Sequence, residues 1–188
     1  MKAISTSYKG YRFRSRLEAR WAVFFDALGL EWEYEVEGFN LDNGLNYLPD
    51  FFLPNIVGRK AWIEVKPDIP YPDEVDVAKV IAFQKTIFPE ALIFIAAKDP
   101  YAMDSCLAAV HEEDGNIGVT LSFFGALPND QIVIIATEPN GNAILFHAHG
   151  YEDVSGADYL QLIKSPFLER ARIAARSARF EHGQHGAN

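Results

Sequence analysis

The hydrophobic positions change period several times along the chain, and each change marks an element. Leu17, Trp21, Phe24, Phe25 and Leu28 recur at helical spacing, with Ser15 set as N-cap, Glu18 three residues on to complete a capping box, and Gly29 as the stop. Residues 31–37 then alternate strictly, which predicts a strand with Trp32, Tyr34 and Val36 inward and four glutamates on a solvated face. Two short apolar runs follow, residues 47–53 and 61–65, aromatic or β-branched and bounded by Pro and Gly; they predict neighbouring strands. Asn43-Gly44 signals a hairpin ahead of the first run and Gly58-Arg59-Lys60 a turn between the two, with Leu48, Phe51 and Phe52 expected in the core.

A helix is expected from Asp73 or Glu74 to about Phe88, with Val77, Val80, Ile81 and Gln84 on one side. The nearly continuous apolar run 91–97 predicts a strand buried on both faces. A helix joining the strand at 61–65 to this one is a crossover connection, so the two strands should be parallel. Farther on, residues 103–111 read as a short helix, and 117–124, 131–137 and 143–147 as strands, with Asn140-Gly141-Asn142 turning between the last two. These strands either extend the sheet or cap it. Ser165-Pro166 opens a final helix on which Arg172, Arg176 and Arg179 share a face opposite Ala171, Ala174, Ala175 and Ala178. His182 and His185 fall in a Gly-rich tail expected to be disordered. The expected organisation is a core over residues 1–98, an extension packed on it over 99–154, and a basic helix and tail over 155–188.

Bulk properties narrow the class. The 188 residues are 49% hydrophobic and 23% charged, as in ordinary soluble domains, and suffice for one sizeable core. No stretch approaches a membrane span and no signal segment is recognisable at the amino terminus, so the expected location is the cytoplasm, with no membrane partner. A single cysteine, Cys106, excludes an intramolecular disulfide framework and multi-cysteine zinc sites, and reads as a core residue. The net charge of −9 argues against indiscriminate coating of nucleic acid, yet the charge is segregated. Residues 1–20 hold six Lys or Arg against one acid and residues 164–188 hold five against two, which leaves the middle strongly acidic. Basic ends around an acidic body suit a limited phosphate footprint.

The chemistry concentrates where the two short strands meet. Glu64 and Lys66 project from one strand face, and Asp50 stands on the neighbouring strand. Carboxylates are costly in a small buried sheet unless they pair or hold a metal, and oxygen-only ligands suit Mg²⁺ or Mn²⁺. Lys66 is placed to orient or help deprotonate an attacking water and to offset charge on a phosphorane-like transition state.

Pro49-Asp50 followed by Glu64-Val65-Lys66 resembles the motif of the PD-(D/E)XK nuclease superfamily. More narrowly, Ser15-Arg16-Leu17-Glu18, then Tyr47-Leu48-Pro49-Asp50-Phe51 and Ile63-Glu64-Val65-Lys66-Pro67, resemble TnsA-type transposon-end endonucleases and a group of phage and plasmid nucleases, over about residues 8 to 98. The resemblance implies an α/β, restriction-endonuclease-like α-β-β-β-α-β core with a mixed central sheet, carrying here a C-terminal β-rich extension and a terminal basic helix. It also implies Asp50 and Glu64 as metal ligands, the Val65 carbonyl as a main-chain ligand, Glu18 as an additional acid beside its capping role, and Lys66 as the catalytic lysine. Arg12, Arg14, Arg16 and Arg20 are the first candidates for DNA backbone contact. Lys79, Gln84, Arg172, Arg176 and Arg179 are further ones, although Gln84 also reads as a structural glutamine and the arginine stripe as a protein-binding arm.

The expected function is a Mg²⁺- or Mn²⁺-dependent DNA endonuclease from a phage or mobile element. One site per chain makes a homodimer an expected partner for cutting both strands. The competing expectation is a non-cleaving binder or inhibitor on the same fold. The filled acid and lysine positions favour the enzyme. His147 and His149 have metal-ligand spacing but no third ligand in the sequence nearby, and His111 has no evident partner.

Overall fold

The computed structural model describes residues 5–41, 44–68, 75–87, 90–100, 106–113, 116–137 and 141–182. β1 (Thr6–Tyr8) and β2 (Tyr11–Phe13) form an antiparallel hairpin that leads into α1 (Arg16–Ala27). The Ser15 side chain caps α1 by accepting from the Glu18 amide, and Gly29 follows the helix at φ 70°, the left-handed residue its C-terminus needs. Next come β3 (Glu33–Tyr34), β4 (Phe39–Asn40), β5 (Asn46–Tyr47), β6 (Phe51–Ile56) and β7 (Arg59–Lys66). α2 (Val75–Ile87) leads to β8 (Ala91–Ala97), followed by β9 (Cys106–Glu113), β10 (Asn116–Ala126), β11 (Ile132–Thr137), β12 (Ala143–His147) and β13 (Gly150–Val154). The chain ends with α3 (Gly156–Ile163), α4 (Pro166–Ser177) and β14 (Glu181–His182).

The architecture is mixed α/β. Nine strands form one sheet in the order β13-β12-β11-β10-β9-β8-β7-β6-β3, antiparallel throughout except for the β7–β8 pair. That pair is parallel, as the connecting helix requires, with Glu64 level with Ile95 and Lys66 level with Ala97. Strands β9 to β13 extend this sheet, one of the two alternatives open in the sequence. α1 and α4 lie together on one face, where Trp21, Phe25, Phe51, Ile63, Phe124 and Leu168 form a continuous core. On the other face α2 covers Trp62, Ile93 and Ile95, while α3 covers Val133, Ile135 and Leu145. Neighbouring residues of β7 and β8 serve opposite faces, which accounts for the unbroken apolar run 91–97.

Several expectations are corrected. The described part of the predicted helix 103–111 is strand β9; pairing with β8 on one side and β10 on the other outweighs its helix-compatible composition. The alternating segment 31–37 keeps strand geometry only at Glu33–Tyr34, because Glu35 turns to φ 47° and leaves Val36 outward, 48% exposed. The run 47–53 is split by Pro49, which has no amide for a ladder, into β5 and β6, and Leu48 is exposed. His182 belongs to a strand on β1, not to a loose tail. The turn between β6 and β7 is Val57-Gly58, with Ile56 opposite Arg59; Gly58 sits at φ 82° with the Ala148 carbonyl 3.2 Å from where a Cβ would stand. Asn43, Asp73, Glu74, Phe88, Met103, Asn140 and His185 lie outside the described residues.

Candidate active site

Asp50 is the centre of the predicted constellation. It stands one residue before β6, where Pro49 has ended the preceding pairing, and its main-chain carbonyl accepts from the Glu35 amide at 2.9 Å. The residue is 4% exposed, and both carboxylate oxygens are engaged. The Val65 amide donates to Oδ2 at 2.7 Å and Arg14 Nη2 donates to Oδ1 at 2.6 Å. Burial, then the charge of Glu64, push the Asp50 carboxyl up to about 7; the Val65 amide pulls against them, Glu18 adds to the rise, and Arg14 opposes it.

Glu64 and Lys66 share a face of β7, as their spacing predicts. Lys66 Nζ lies 3.0 Å from Glu64 Oε1, and Tyr47 Oη donates to Glu64 Oε2 at 3.0 Å. Trp62, two residues earlier on the same side of the strand, packs under α2, so Glu64 projects on the α2 face. Extending the Phe51–Ile63 register by one step sets Asp50 level with Glu64. Val65 is partly buried on the α1 face, with its amide committed to Asp50.

Glu18 approaches from the α1 side and its two oxygens are fully used. Ser15 Oγ donates to Oε1 at 2.6 Å, and Tyr34 Oη (2.5 Å) and the Arg14 amide (3.0 Å) donate to Oε2. Burial, then the bond to Glu18, raise the Tyr34 pKa. The capping reading of Glu18 thus has direct geometric support, and its carboxylate belongs to the opposite face of the sheet from Glu64. Among the described residues no three His, Cys, Asp or Glu side chains come close enough together to hold one metal ion.

Arg14 spans two acids. Besides Asp50, its Nε lies 2.7 Å from Glu35 Oε1. Burial works against the Arg14 charge, but Tyr34, Asp50 and Glu35 outweigh it and raise its pKa. The alternation predicts a solvated glutamate at position 35. No pattern in the sequence announces its positive φ, which is what turns its carboxylate onto Arg14. Tyr47 as a donor to Glu64 was missed for a similar reason, since an aromatic in an apolar run reads as core.

The remaining predicted contacts are distributed. Arg12 is exposed and donates to Ser5 Oγ at 3.0 Å; Arg16 is half-buried in the first turn of α1. Arg20 is not open to phosphate, because its guanidinium is paired with Asp99 just beyond β8. Lys79 is half-buried on α2. Gln84 proves structural: its Oε1 accepts from the Ile93 amide at 3.0 Å and its Nε2 donates to the Ala91 carbonyl, pinning α2 to the start of β8, several residues along the strand from Lys66. Arg172 is corrected most strongly. It is 7% exposed and donates to the Ile163 carbonyl at 2.9 Å, locking α4 to the end of α3, and burial lowers its pKa. Only Arg176 and Arg179 of that stripe face solvent. His147 Nδ1 accepts from the His149 amide at 3.2 Å within the β12–β13 turn. A cavity of about 1090 Å³, lined by Val57, Arg59, Leu92, Ile144 and Phe146 among others, opens at the other end of β7 and β8 from the acids.

Carboxylate and carbonyl oxygens are the donor chemistry that a hard divalent cation takes. Asp50 is a buried carboxylate whose ionised form is disfavoured by burial and by Glu64, so it calls for positive charge, which Arg14 supplies here. Asp50, Glu64 and the Val65 carbonyl are the oxygen donors at this end of the sheet. No protein-family model, curated protein or solved structure matches the chain. Among the described residues, no helix is long and apolar enough to cross a membrane.

Proposed function

We propose that the chain is a Mg²⁺- or Mn²⁺-dependent endonuclease that hydrolyses DNA phosphodiester bonds, built on a restriction-endonuclease-like core. One observation carries the reading: two adjacent antiparallel strands bring a buried Asp50, bonded to the Val65 amide at 2.7 Å, beside a Glu64–Lys66 pair 3.0 Å apart. The order α1, β3, β6, β7, α2, β8, with the two-stranded β4–β5 sheet inserted between β3 and β6 and with β7 and β8 parallel, supports the reading.

In this reading Asp50, Glu64 and the Val65 carbonyl would hold the ion, which when bound supplies Lewis-acid activation of the phosphate and of water. Lys66, drawn to Glu64, presents its ammonium to charge building on the phosphate oxygens and orients the nucleophilic water for in-line attack. Glu18 fixes the start of α1 and the main chain of Arg14, the residue whose guanidinium reaches Asp50. Arg12, Arg16, Arg176 and Arg179 are the proposed backbone contacts. One site per chain means that cutting a duplex through both strands takes a second copy or a second encounter.

The test is incubation of the purified protein with supercoiled plasmid, linear duplex, branched DNA and RNA in Mg²⁺, Mn²⁺ or chelator, beside Asp50→Ala and Lys66→Ala. Metal-dependent cutting abolished by both substitutions is expected; cutting that survives both overturns the site. Two observations favour a second reading, a non-cleaving nucleic-acid or protein binder: Arg14 already pairs with Asp50, and the Glu18 carboxylate is engaged at the start of α1. Tight binding without cleavage of any substrate would decide for it.

A further inference from the structure

Arg14 is positioned where a cation serving Asp50 has to be. Its side chain is 57% exposed while the Asp50 side chain is 5% exposed, so the guanidinium reaches in from solvent and covers the carboxylate. It takes Oδ1, the oxygen that the Val65 amide leaves over. The main chain of Arg14 is fixed independently, its amide donating to Glu18 Oε2 at 3.0 Å and to Tyr34 Oη at 3.2 Å. Movement of the guanidinium therefore needs side-chain torsions only and leaves α1 and β2 in place.

Glu35 gives that movement a second anchor. It holds a left-handed backbone at φ 47°, uncommon for a residue with a side chain, while its amide is bonded to the Asp50 carbonyl. Glu35 Oε1 is buried 2.7 Å from Arg14 Nε, yet receives no aligned hydrogen bond. The contact is one of charge, which tolerates rotation of the guanidinium better than a forked, bidentate pair does.

We propose that Arg14 is a displaceable counter-cation: it neutralises Asp50 in the resting site, competes with a divalent ion for Oδ1, and on giving up that oxygen stays near Glu35 and presents its guanidinium to the substrate phosphate. This rests on the nuclease reading and adds to it an exchange of partners. A site that keeps Asp50 neutralised until an ion arrives avoids leaving a buried carboxylate unpaired.

The experiment is calorimetric titration of Mn²⁺ into DNA-free protein, comparing wild type with Arg14→Ala, Arg14→Lys and Asp50→Asn, each checked for folding by thermal melting. Arg14→Ala should bind Mn²⁺ at least about tenfold more tightly than wild type, with Arg14→Lys between them, since a lysine keeps the charge without the fork. Should Arg14→Ala fail to fold, Arg14→Lys against wild type carries the test alone. Unchanged or weaker binding in folded Arg14 variants, with Asp50→Asn still abolishing binding, overturns the exchange and leaves the nuclease reading standing. Equal Mn²⁺ binding by wild type, the Arg14 variants and Asp50→Asn, or no binding by any of them, removes both. With Ca²⁺ present, Arg14→Ala should also lower the salt dependence of duplex binding by about one unit of log–log slope; an unchanged slope removes the phosphate contact.

Discussion

The Val65 amide donates to Asp50 Oδ2 across 2.7 Å, so the residue between Glu64 and Lys66 grips the acid of the neighbouring strand through its main chain. The position of Asp50 is thereby written into the β6–β7 register and does not depend on the identity of a side chain at 65. A bond to a buried carboxylate from a fixed amide is strong, yet here it fails to offset the burial and the nearby Glu64, and the carboxyl rises to about 7.

A pH dependence of stability follows. Because the folded Asp50 carboxyl binds its proton more tightly than its ordinary value of 3.8, its contribution is full below about 4 and is lost as pH rises toward about 7. The span corresponds to up to about 4 kcal/mol. In chelator, Asp50→Asn should therefore gain on wild type by about 2–4 kcal/mol between pH 5 and pH 8, read as the difference of urea unfolding free energies. Parallel curves for the two proteins would show that the carboxylate is already balanced at neutral pH.

On the proposed nuclease reading, Lys66 should matter to rate and little to fold. Its ammonium is 3.0 Å from Glu64 in a partly exposed pair, an arrangement worth about 1 kcal/mol or less to stability. Lys66→Met is expected to lower the single-turnover cleavage rate by about 100-fold or more while Mn²⁺ affinity stays near that of wild type. A variant that cuts normally would leave the lysine a mere partner of Glu64.

The chain announces its local rules more clearly than its long-range ones. The caps at Ser15 and Ser165, the stop at Gly29 and the run Ala91–Ala97 obey spacing alone, and the structure follows them. The parallel β7–β8 pair follows from chain connectivity. β9 was misread because its partners, β8 and β10, decide its state. The cap of α3 is legible in Ser155 and Asp158, a Ser-x-x-Asp pattern. Around the candidate site, the nearness of Asp50, Glu64 and Lys66 was visible from residue types and strand alternation. The Arg14–Glu35 contact was not, since it depends on a backbone reversal at Glu35 that overrides the alternation of its own segment. Arg172 misled because i, i+4 and i+7 positions span more than one narrow stripe, and the first of them turns toward α3.

Arg172 is accordingly a stability residue. Arg172→Met leaves the Ile163 carbonyl without this donor in a buried setting, and a loss of about 1–3 kcal/mol is expected in chemical denaturation. The salt dependence of duplex binding should not change. Arg176→Ala and Arg179→Ala should do the reverse, with near-normal stability and a log–log slope smaller by about one for each residue that meets a phosphate. A slope that moves with Arg172 and not with the other two would mean that α4 detaches from α3 when it binds.

Glu18 separates a cap from a ligand. Its oxygens accept from Ser15, Tyr34 and the Arg14 amide, so a glutamine that keeps its oxygen toward Tyr34 and the Arg14 amide retains the shape, and only the Ser15 hydroxyl has to reverse to accept from the new NH2. If its work is to fix α1 and the Arg14 main chain, Glu18→Gln should cost about 1 kcal/mol or so in stability and keep cleavage within about tenfold of wild type, with Mn²⁺ affinity near normal. Ser15→Ala, which removes the cap and keeps the carboxylate, should then lower stability at least as much. A fall in Mn²⁺ affinity of 100-fold or so in Glu18→Gln, with Ser15→Ala unaffected, would instead make Glu18 a direct ligand and require its carboxylate to leave Tyr34 when the ion binds.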